Sequence, residues 1–179
     1  MESGFHVNCM YGRPLITQTD EQGSNWQVRE LYAREDFVWI EQGSILAAAA
    51  IAWPANDCDA LSVADILSAY PLLHEHMSAV ISCDHTEDPF RYVISDHRRR
   101  NAAVGGTDIR GRPVAELAYQ LHAVSCAVEY HECKVTGKPA FHHITQRFGG
   151  VRRNYRRIIL PLRGRDGRVQ ELCVLSRGL

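Results

Sequence analysis

The C-terminal third of the chain carries a pattern of hydrophobic and polar residues that is typical of an antiparallel sheet. Three runs rich in β-favouring side chains extend over residues 140–148, 155–162 and 169–175. Gly149-Gly150 separates the first two runs, and Gly164-Arg165-Asp166-Gly167 separates the last two. Asp-Gly between two such runs is among the strongest hairpin signals, and paired glycines also mark a turn. The pattern predicts a three-stranded antiparallel meander.

The last of these runs alternates only in part. Successive side chains of a strand point to opposite faces of the sheet, so Leu172 and Val174 are expected on one face. Val169, Cys173 and Leu175 are expected on the other. A sheet with apolar side chains needs a second layer that covers them.

A second hairpin and a long helix are predicted before the meander. Residues 77–83 and 90–95 have the composition of two strands that are joined by a turn. Pro113 stands where the first turn of a helix tolerates proline, and Gly137 marks the end of a helix that extends to about Lys134. The apolar residues between these limits recur at helical spacing, at Leu117, Leu121, Val124 and Val128.

The N-terminal third has a less regular pattern. Residues 1–24 show no sustained periodicity and are predicted to be a loose leader. From Trp26 to Ile45 the apolar residues follow one broad helical stripe. Residues 45–53 either continue this helix or begin an extended segment, and Pro54 ends it.

These patterns divide the chain into three parts. The leader covers residues 1–24, and an N-terminal helical extension covers residues 25–60. A core domain covers residues 61–179 and begins with a short helix at 63–68.

Composition adds a prediction about location. A chain of 179 residues can bury a real core as one domain with appendages. The sequence has neither a secretory signal nor an apolar run long enough to span a bilayer, which predicts a cytoplasmic protein without membrane contact. Its six cysteines are scattered without a C-x-x-C pair and are expected to be reduced.

The charges are distributed unevenly along the chain. Residues 1–90 contain fourteen acidic and three basic residues, whereas residues 91–179 contain seven and seventeen. Such opposed halves predict that the acidic N-terminal segment lies against the basic C-terminal part, within one chain or across a dimer. The alternative is two unrelated solvated surfaces.

The predicted elements follow one another as two strands, an irregular stretch, one long helix and three further strands. Short motifs mark them: Phe90-Arg91-Tyr92, Gly111-Arg112-Pro113, Gly137-Lys138-Pro139 and the run Tyr155…Leu160-Pro161-Leu162…Asp166-Gly167-Arg168-Val169. This order and these motifs resemble those of a PAS domain. The chain is most similar to the short, stand-alone PAS-like proteins of alphaproteobacteria, over residues 61–176 and more weakly over 26–44. It departs from them at residues 96–101, where relatives have a glycine-containing segment.

The resemblance implies a fold class and a role. The fold would be α+β, a PAS-like five-stranded antiparallel sheet with a long covering helix and an extra N-terminal helix. The protein would be a sensory or signalling regulator that binds a small molecule or a protein partner. It would form a homodimer through the N-terminal helix, act through a separate signalling protein, and have no catalytic residues.

A PAS-like cavity would lie between the long helix and the inner face of the sheet. A few polar side chains in such a pocket would orient a ligand. The alternative is that they form a hydrogen-bonded network around a filled core. The candidates are Tyr92, His122, Cys126, Tyr130, His142 and Arg156.

The sequence predicts no cofactor and no metal. Its one Asn-Cys pair, Asn8-Cys9, lacks the context of a light-sensing flavin domain. His122 or His131 stands where an axial haem ligand would, but nothing else supports haem. His142 and His143 would point to opposite faces of a strand, which disfavours a shared zinc ion.

Arginine is far more frequent than lysine, with eighteen against two. Its planar guanidinium binds two oxygens of a phosphate or carboxylate at once. The alternative function is therefore an arginine-rich module that binds nucleic acid or a nucleotide second messenger, although no nucleic-acid-binding motif is present. The arginines of this phosphate or anion patch are Arg98, Arg99, Arg100, Arg152, Arg153 and Arg157.

An enzyme is a third class of function. His122 and Cys126 lie four residues apart on the predicted helix and could pair as base and nucleophile. A reactive cysteine needs a stabilised thiolate and an oxyanion site, and no motif indicates either. The sequence predicts no catalytic residue.

Overall fold

A single antiparallel sheet runs through the part of the protein that the computed structural model describes, residues 4–10, 13–53, 68, 71–97 and 108–179. The order of its strands is β1-β2-β3-β6-β7-β8-β4-β5, and each strand is antiparallel to its neighbours. The eight strands are β1 (Gly4–Met10), β2 (Arg13–Thr19), β3 (Trp26–Tyr32), β4 (Met77–Ser82), β5 (Val93–His97), β6 (Ala140–Phe148), β7 (Val151–Arg163) and β8 (Val169–Gly178).

Helices cover both faces of this sheet. Two short helices pack on one face and the long helix packs on the other, so the described chain has three layers. None of the described helices is both long enough and apolar enough to cross a membrane. The helices are α1 (Arg34–Ile40), α2 (Ile45–Ala52), α3 (Leu73–His76) and α4 (Gln120–Thr136), with 3₁₀ turns at Pro89–Arg91 and Val114–Glu116.

The core on the α1–α2 face is apolar. Phe37 of α1 and Leu46 of α2 are fully buried against Ile158 and Leu160 of β7 and Leu175 of β8. Burial of each such side chain contributes about 1.5–3 kcal/mol relative to exposure. This layer holds α1 and α2 on the sheet.

The α4 face has a mixed core. Ile159 of β7 and Leu172 of β8 are fully buried beneath α4, together with Cys126 and Tyr130 of the helix. The helix ends at Gly137, which adopts a left-handed conformation with φ 61° and donates its N–H to Cys133 O. The prediction that Gly137 marks the end of this helix is therefore confirmed.

The predicted meander is confirmed in β6, β7 and β8. Gly149 and Gly150 form the two-residue connection between β6 and β7, with φ values of 56° and 81°. Two consecutive positive φ values suit the tight hairpin turn that matches the twist of the flanking strands. Paired glycines are therefore what this connection needs.

One face assignment in β8 is wrong. Val169 belongs to the α4-side core together with Leu172 and Val174, whereas Cys173 and Leu175 belong to the α1–α2 side. The pairing of β7 with β8 shifts register between Leu162 and Arg163. This irregularity breaks the two-residue period, so Val169 changes face.

The second hairpin and the long helix are found with shifted boundaries. Strand β4 begins at Met77 as predicted, but β5 begins at Val93, after the 3₁₀ turn. Helix α4 begins at Gln120 rather than at Pro113 because the preceding residues form a 3₁₀ turn and Pro113 is bridged to Val93. Tyr119 is extended and stacks on Phe148, which keeps this stretch out of the helix.

The predicted fold class is wrong. The sheet has eight strands instead of five, and the expected N-terminal helix does not exist as one element. Its first part is strand β3, which pairs with β2 and β6, and helix begins only at Arg34. Gln27 and Arg29 of β3 are buried beneath α4 while Tyr32 packs with Phe37 on the other side, an alternation that only a strand produces.

The predicted leader also contains regular structure. Residues 4–10 and 13–19 form the hairpin of β1 and β2, which extends the sheet beyond β3. The short helix predicted at 63–68 lies outside the described residues, apart from Ser68.

Opposite charges from the two halves of the chain do meet within one molecule. Glu41, at the end of α1, is buried and accepts hydrogen bonds from Arg156 of β7 and Arg177 of β8. Glu87, which also belongs to the acidic N-terminal half, forms a salt bridge with Lys134 of α4. The predicted contact between an acidic N-terminal segment and the basic C-terminal part is therefore found at these positions.

Candidate functional site: a cavity beneath the long helix

A cavity of about 520 Å³ lies between α4 and the sheet. Its helical wall consists of His122, Cys126 and Tyr130, which follow one another at four-residue intervals along α4. This spacing places the three side chains on one face of the helix. The structure therefore brings together three of the six predicted pocket residues.

The sheet contributes an apolar wall to the cavity. Ala79 and Ile81 of β4, Ile94 of β5 and Val174 of β8 line it. These residues lie on the α4 face of the central strands, where alternation turns their side chains toward the helix. The wall is therefore mainly apolar, apart from Ser78 and Ser176, whose hydroxyls are hydrogen-bonded to each other.

Strand β7 contributes the polar wall. Arg152, Arg153 and Arg157 line the cavity, together with Tyr155. The hydroxyl of Tyr155 donates a hydrogen bond to Gln146 Oε1 at 3.1 Å. Among the described residues that line the cavity there is no aspartate or glutamate, so its fixed side-chain charge is positive.

A buried charge cluster stands behind this polar wall. The carboxylate of Glu129, on α4, contacts the guanidinium groups of both Arg29 and Arg157. It also accepts a hydrogen bond of 2.8 Å from Ser125, whose hydroxyl in turn accepts one of 2.7 Å from Gln27. All five side chains are at least 95% buried. The cluster ties α4 to β3 and to β7.

His142 belongs to this cluster and not to the cavity wall. Arg157 donates to His142 Nδ1 at 3.1 Å, and Glu129 Oε2 lies 3.6 Å from the same nitrogen. Burial, and then the positive charge of Arg29, hold the pKa of His142 well below its usual range. The ring is therefore neutral at physiological pH and adds no charge to the cluster.

The electrostatics of the cavity disfavour a positive charge on His122. Burial, followed by Arg157 and Arg153, lowers the pKa of His122 to about 4. Burial and the nearby Arg29 also lower the pKa of Arg157, to about 10, which still leaves it protonated at neutral pH. The arginines therefore supply the positive charge of the site, and His122 supplies a neutral ring.

The cysteine next to this histidine is not activated. Cys126 Sγ lies 3.8–3.9 Å from the ring nitrogens of His122. Burial raises the pKa of the Cys126 thiol, and the lowered pKa of His122 opposes the formation of an imidazolium–thiolate pair. This geometry suits a neutral lining better than a nucleophile and its base.

Tyr92 is fully buried but does not line the cavity. It lies beneath the C-terminal half of α4, where its hydroxyl is 3.0 Å from His131 Nδ1. Lys134 Nζ stands 5.3 Å above its ring. Burial raises the pKa of the phenol. Tyr92 and His131 join the helix to the second hairpin.

Arg156 lies on the opposite face of the sheet from the cavity. Its neighbour Arg157 points beneath α4, so alternation turns Arg156 toward α1, where it binds Glu41. Burial raises the pKa of Glu41, but hydrogen bonds from Arg177, Ser44 and Arg156 outweigh this effect and lower it to about 2. Arg156 thus holds the helical layer in place.

The predicted anion patch is divided by the structure. Arg152, Arg153 and Arg157 lie together at the cavity. Arg98, Arg99 and Arg100 lie outside the described residues.

Sequence reasoning missed Gln27, Arg29, Ser125 and Glu129. The signal for the first two was the alternation of apolar and polar residues from Trp26 to Arg29, which is typical of a half-buried strand. Ser125 and Glu129 are four residues apart, next to the helix face that carries Cys126. Their burial depends on β3 lying beneath α4, which helical spacing alone does not reveal.

Within the described residues, the histidines and cysteines do not assemble into a metal site. In the described part of the chain no group of three or more histidine, cysteine or acidic side chains is arranged to hold a metal ion.

No protein-family model, curated protein or solved structure matches the chain.

Proposed function

We propose that the protein is a sensory module that binds a small molecule in the cavity beneath α4 and acts through a separate protein. The observation that carries this proposal is the cavity itself, bounded by an apolar wall from the sheet and a polar wall from β7. Its volume of about 520 Å³ falls in the range of small-molecule sites, about 300–1,000 Å³. The sensory role follows the PAS resemblance of the sequence.

The charge cluster provides a route by which a ligand would affect the rest of the molecule. Arg157 lines the cavity and also contacts Glu129, which contacts Arg29 of β3. A ligand that draws Arg157 toward the cavity would weaken its contact with Glu129 and so change how α4 holds β3. A ligand that binds one arrangement better than the other shifts the population toward it.

Nucleic-acid binding is less well supported. Within the described part of the predicted patch, Arg157 is buried, and only Arg152 and Arg153 present a guanidinium at or near the surface. A phosphate backbone requires an accessible basic face.

The homodimer stays a prediction, but its proposed contact helix is divided between β3 and α1.

Native mass spectrometry of the purified full-length chain tests the proposal. We expect a mass excess that disappears when the same sample is denatured. Ser176→Phe places a phenyl ring at a half-buried serine that lines the cavity, and we expect it to abolish the excess. Ser82→Phe makes the same change at a half-buried serine of β4 that does not line the cavity, and it should retain the excess.

Two results would contradict the proposal. The first is a polypeptide mass without any excess, in a protein whose thermal stability also does not change with any small molecule tested. The second is an excess of equal size in the wild type and in a folded Ser176→Phe variant, because the bound molecule would then lie elsewhere.

A further inference from the structure

We propose that the ligand of this cavity is an anion with an apolar body, whose carboxylate or phosphate group binds Arg157 and Arg153. This inference rests on the proposed function and specifies the chemical class of the ligand. It is carried by the charge balance of the buried cluster, by an unsatisfied donor on Arg157 and by the division of the cavity into a cationic and an apolar wall.

The charge balance of the cluster is positive. Arg29 and Arg157 are 3% and 4% exposed, and both contact the single carboxylate of Glu129, which is 1% exposed. His142 is neutral in this environment, so one positive charge remains without a buried counter-charge in the cluster. An uncompensated buried charge is costly, and an anion in the adjoining cavity would remove that cost.

The surplus charge is directed to the cavity by Arg157. Its Nη2 contacts Glu129 and His142, and the residue also lines the cavity. Its Nε is buried and has no hydrogen-bond partner among the described residues. A buried donor without a partner costs free energy, and a carboxylate or phosphate oxygen would supply the missing acceptor.

Arg153 extends the cationic wall. It is half-buried and lines the cavity, and no ion pair is found for it within the described ranges. The facing strands contribute Ala79, Ile81 and Val174, and the hydroxyls of Ser78 and Ser176, which also line the cavity, are hydrogen-bonded to each other at 2.9 Å. A ligand that satisfies both walls has an anionic group at one end and an apolar body at the other.

Isothermal titration calorimetry with three matched probes tests the inference on the full-length chain. The probes are 1-naphthoate, 1-naphthyl phosphate and the neutral 1-naphthamide, which share one apolar body. A charge-assisted hydrogen bond favours the anions by about ten- to a hundredfold in Kd. The tighter of the two anions identifies carboxylate or phosphate as the preferred group.

Two variants locate the effect. Arg153→Gln leaves the buried cluster intact and is expected to reduce the preference for the anions over the amide by about tenfold. Arg165→Gln removes an exposed arginine of the β7–β8 turn and is expected to leave the preference unchanged. Arg157→Met, with its fold checked by circular dichroism, is expected to abolish the preference.

The contrary results separate this inference from the function on which it rests. If the amide binds as tightly as the anions, the anion preference is wrong and the cavity remains a small-molecule site. If Arg153→Gln and Arg165→Gln reduce anion affinity equally, the effect is general electrostatics and the assigned contact is wrong. If none of the probes binds and no molecule co-purifies, the proposed function fails together with the inference.

Discussion

Glu41 shows how a single buried carboxylate joins two layers of the molecule. It lies at the end of α1 and binds Arg156 and Arg177 on neighbouring strands. Its pKa of about 2 in the folded protein lies below its ordinary value of 4.5. A group with a lowered folded pKa stabilises the protein above its unfolded pKa, and this contribution is lost as the pH falls toward the folded pKa.

Glu41→Gln is therefore expected to remove part of the acid sensitivity of folding. The wild type should lose about 3 kcal/mol of unfolding free energy from this group between pH 6 and pH 2, and the variant should not. Urea denaturation at both pH values measures the difference, with the exposed Glu35→Gln on the same helix as the control. Equal acid sensitivity of Glu41→Gln and the wild type would contradict this role.

The ionisation of His122 reports the positive potential of the cavity. Burial is the largest cause of its lowered pKa of about 4, and repulsion from Arg157 and Arg153 adds to it. Arg153→Gln should therefore raise the pKa of His122, whereas Arg165→Gln should not. Titration of the His122 ring proton by NMR gives both values, and an unchanged pKa in Arg153→Gln would place that arginine away from the cavity.

At the scale of elements, the carboxylate of Glu129 holds α4 to both β3 and β7. Glu129→Ala leaves Arg29 and Arg157 buried without it, and loss of one partner of a buried ion pair costs about 3–5 kcal/mol. Glu35→Ala, at an exposed position of α1 on the other face of the sheet, should change stability by less than about 0.5 kcal/mol. Chemical denaturation measures both, and similar losses would show that the cluster does not anchor the helix.

The elements whose boundaries depend on local signals could be predicted from the sequence. The β6–β7–β8 meander follows from Gly149-Gly150 and Asp166-Gly167, because turn residues act over a few positions. The start of α4 could not be predicted, because the helix is delayed by the stacking of Tyr119 on Phe148, residues far apart in the chain.

The prediction of one helix from Trp26 to Ile45 was wrong for a related reason. A strand that ends at Tyr32 and a helix that begins at Arg34 together produced a run of apolar residues that resembled one helical stripe. The burial of Gln27 and Arg29 is decided by the position of β3 beneath α4, and tertiary context overrides a local pattern of this kind.

At the scale of the whole molecule, the sequence predicted where a cavity would lie but not all of its walls. His122, Cys126 and Tyr130 line it because helical spacing alone puts them on one face. Arg156 and Tyr92 do not, because the face of a strand residue and the depth of a loop residue depend on register and packing. Register is a property of the assembled sheet and cannot be read from one strand.

Amide hydrogen exchange of the full-length protein, with and without saturating 1-naphthoate, tests most directly whether the cavity is the binding site. Ligand binding should slow exchange in residues 120–130 of α4 and 152–157 of β7, which carry the helical and cationic walls. Exchange in α1 and α2, on the other face of the sheet, should change much less. Protection confined to α1 and α2, or no protection at all, would contradict a ligand site beneath α4.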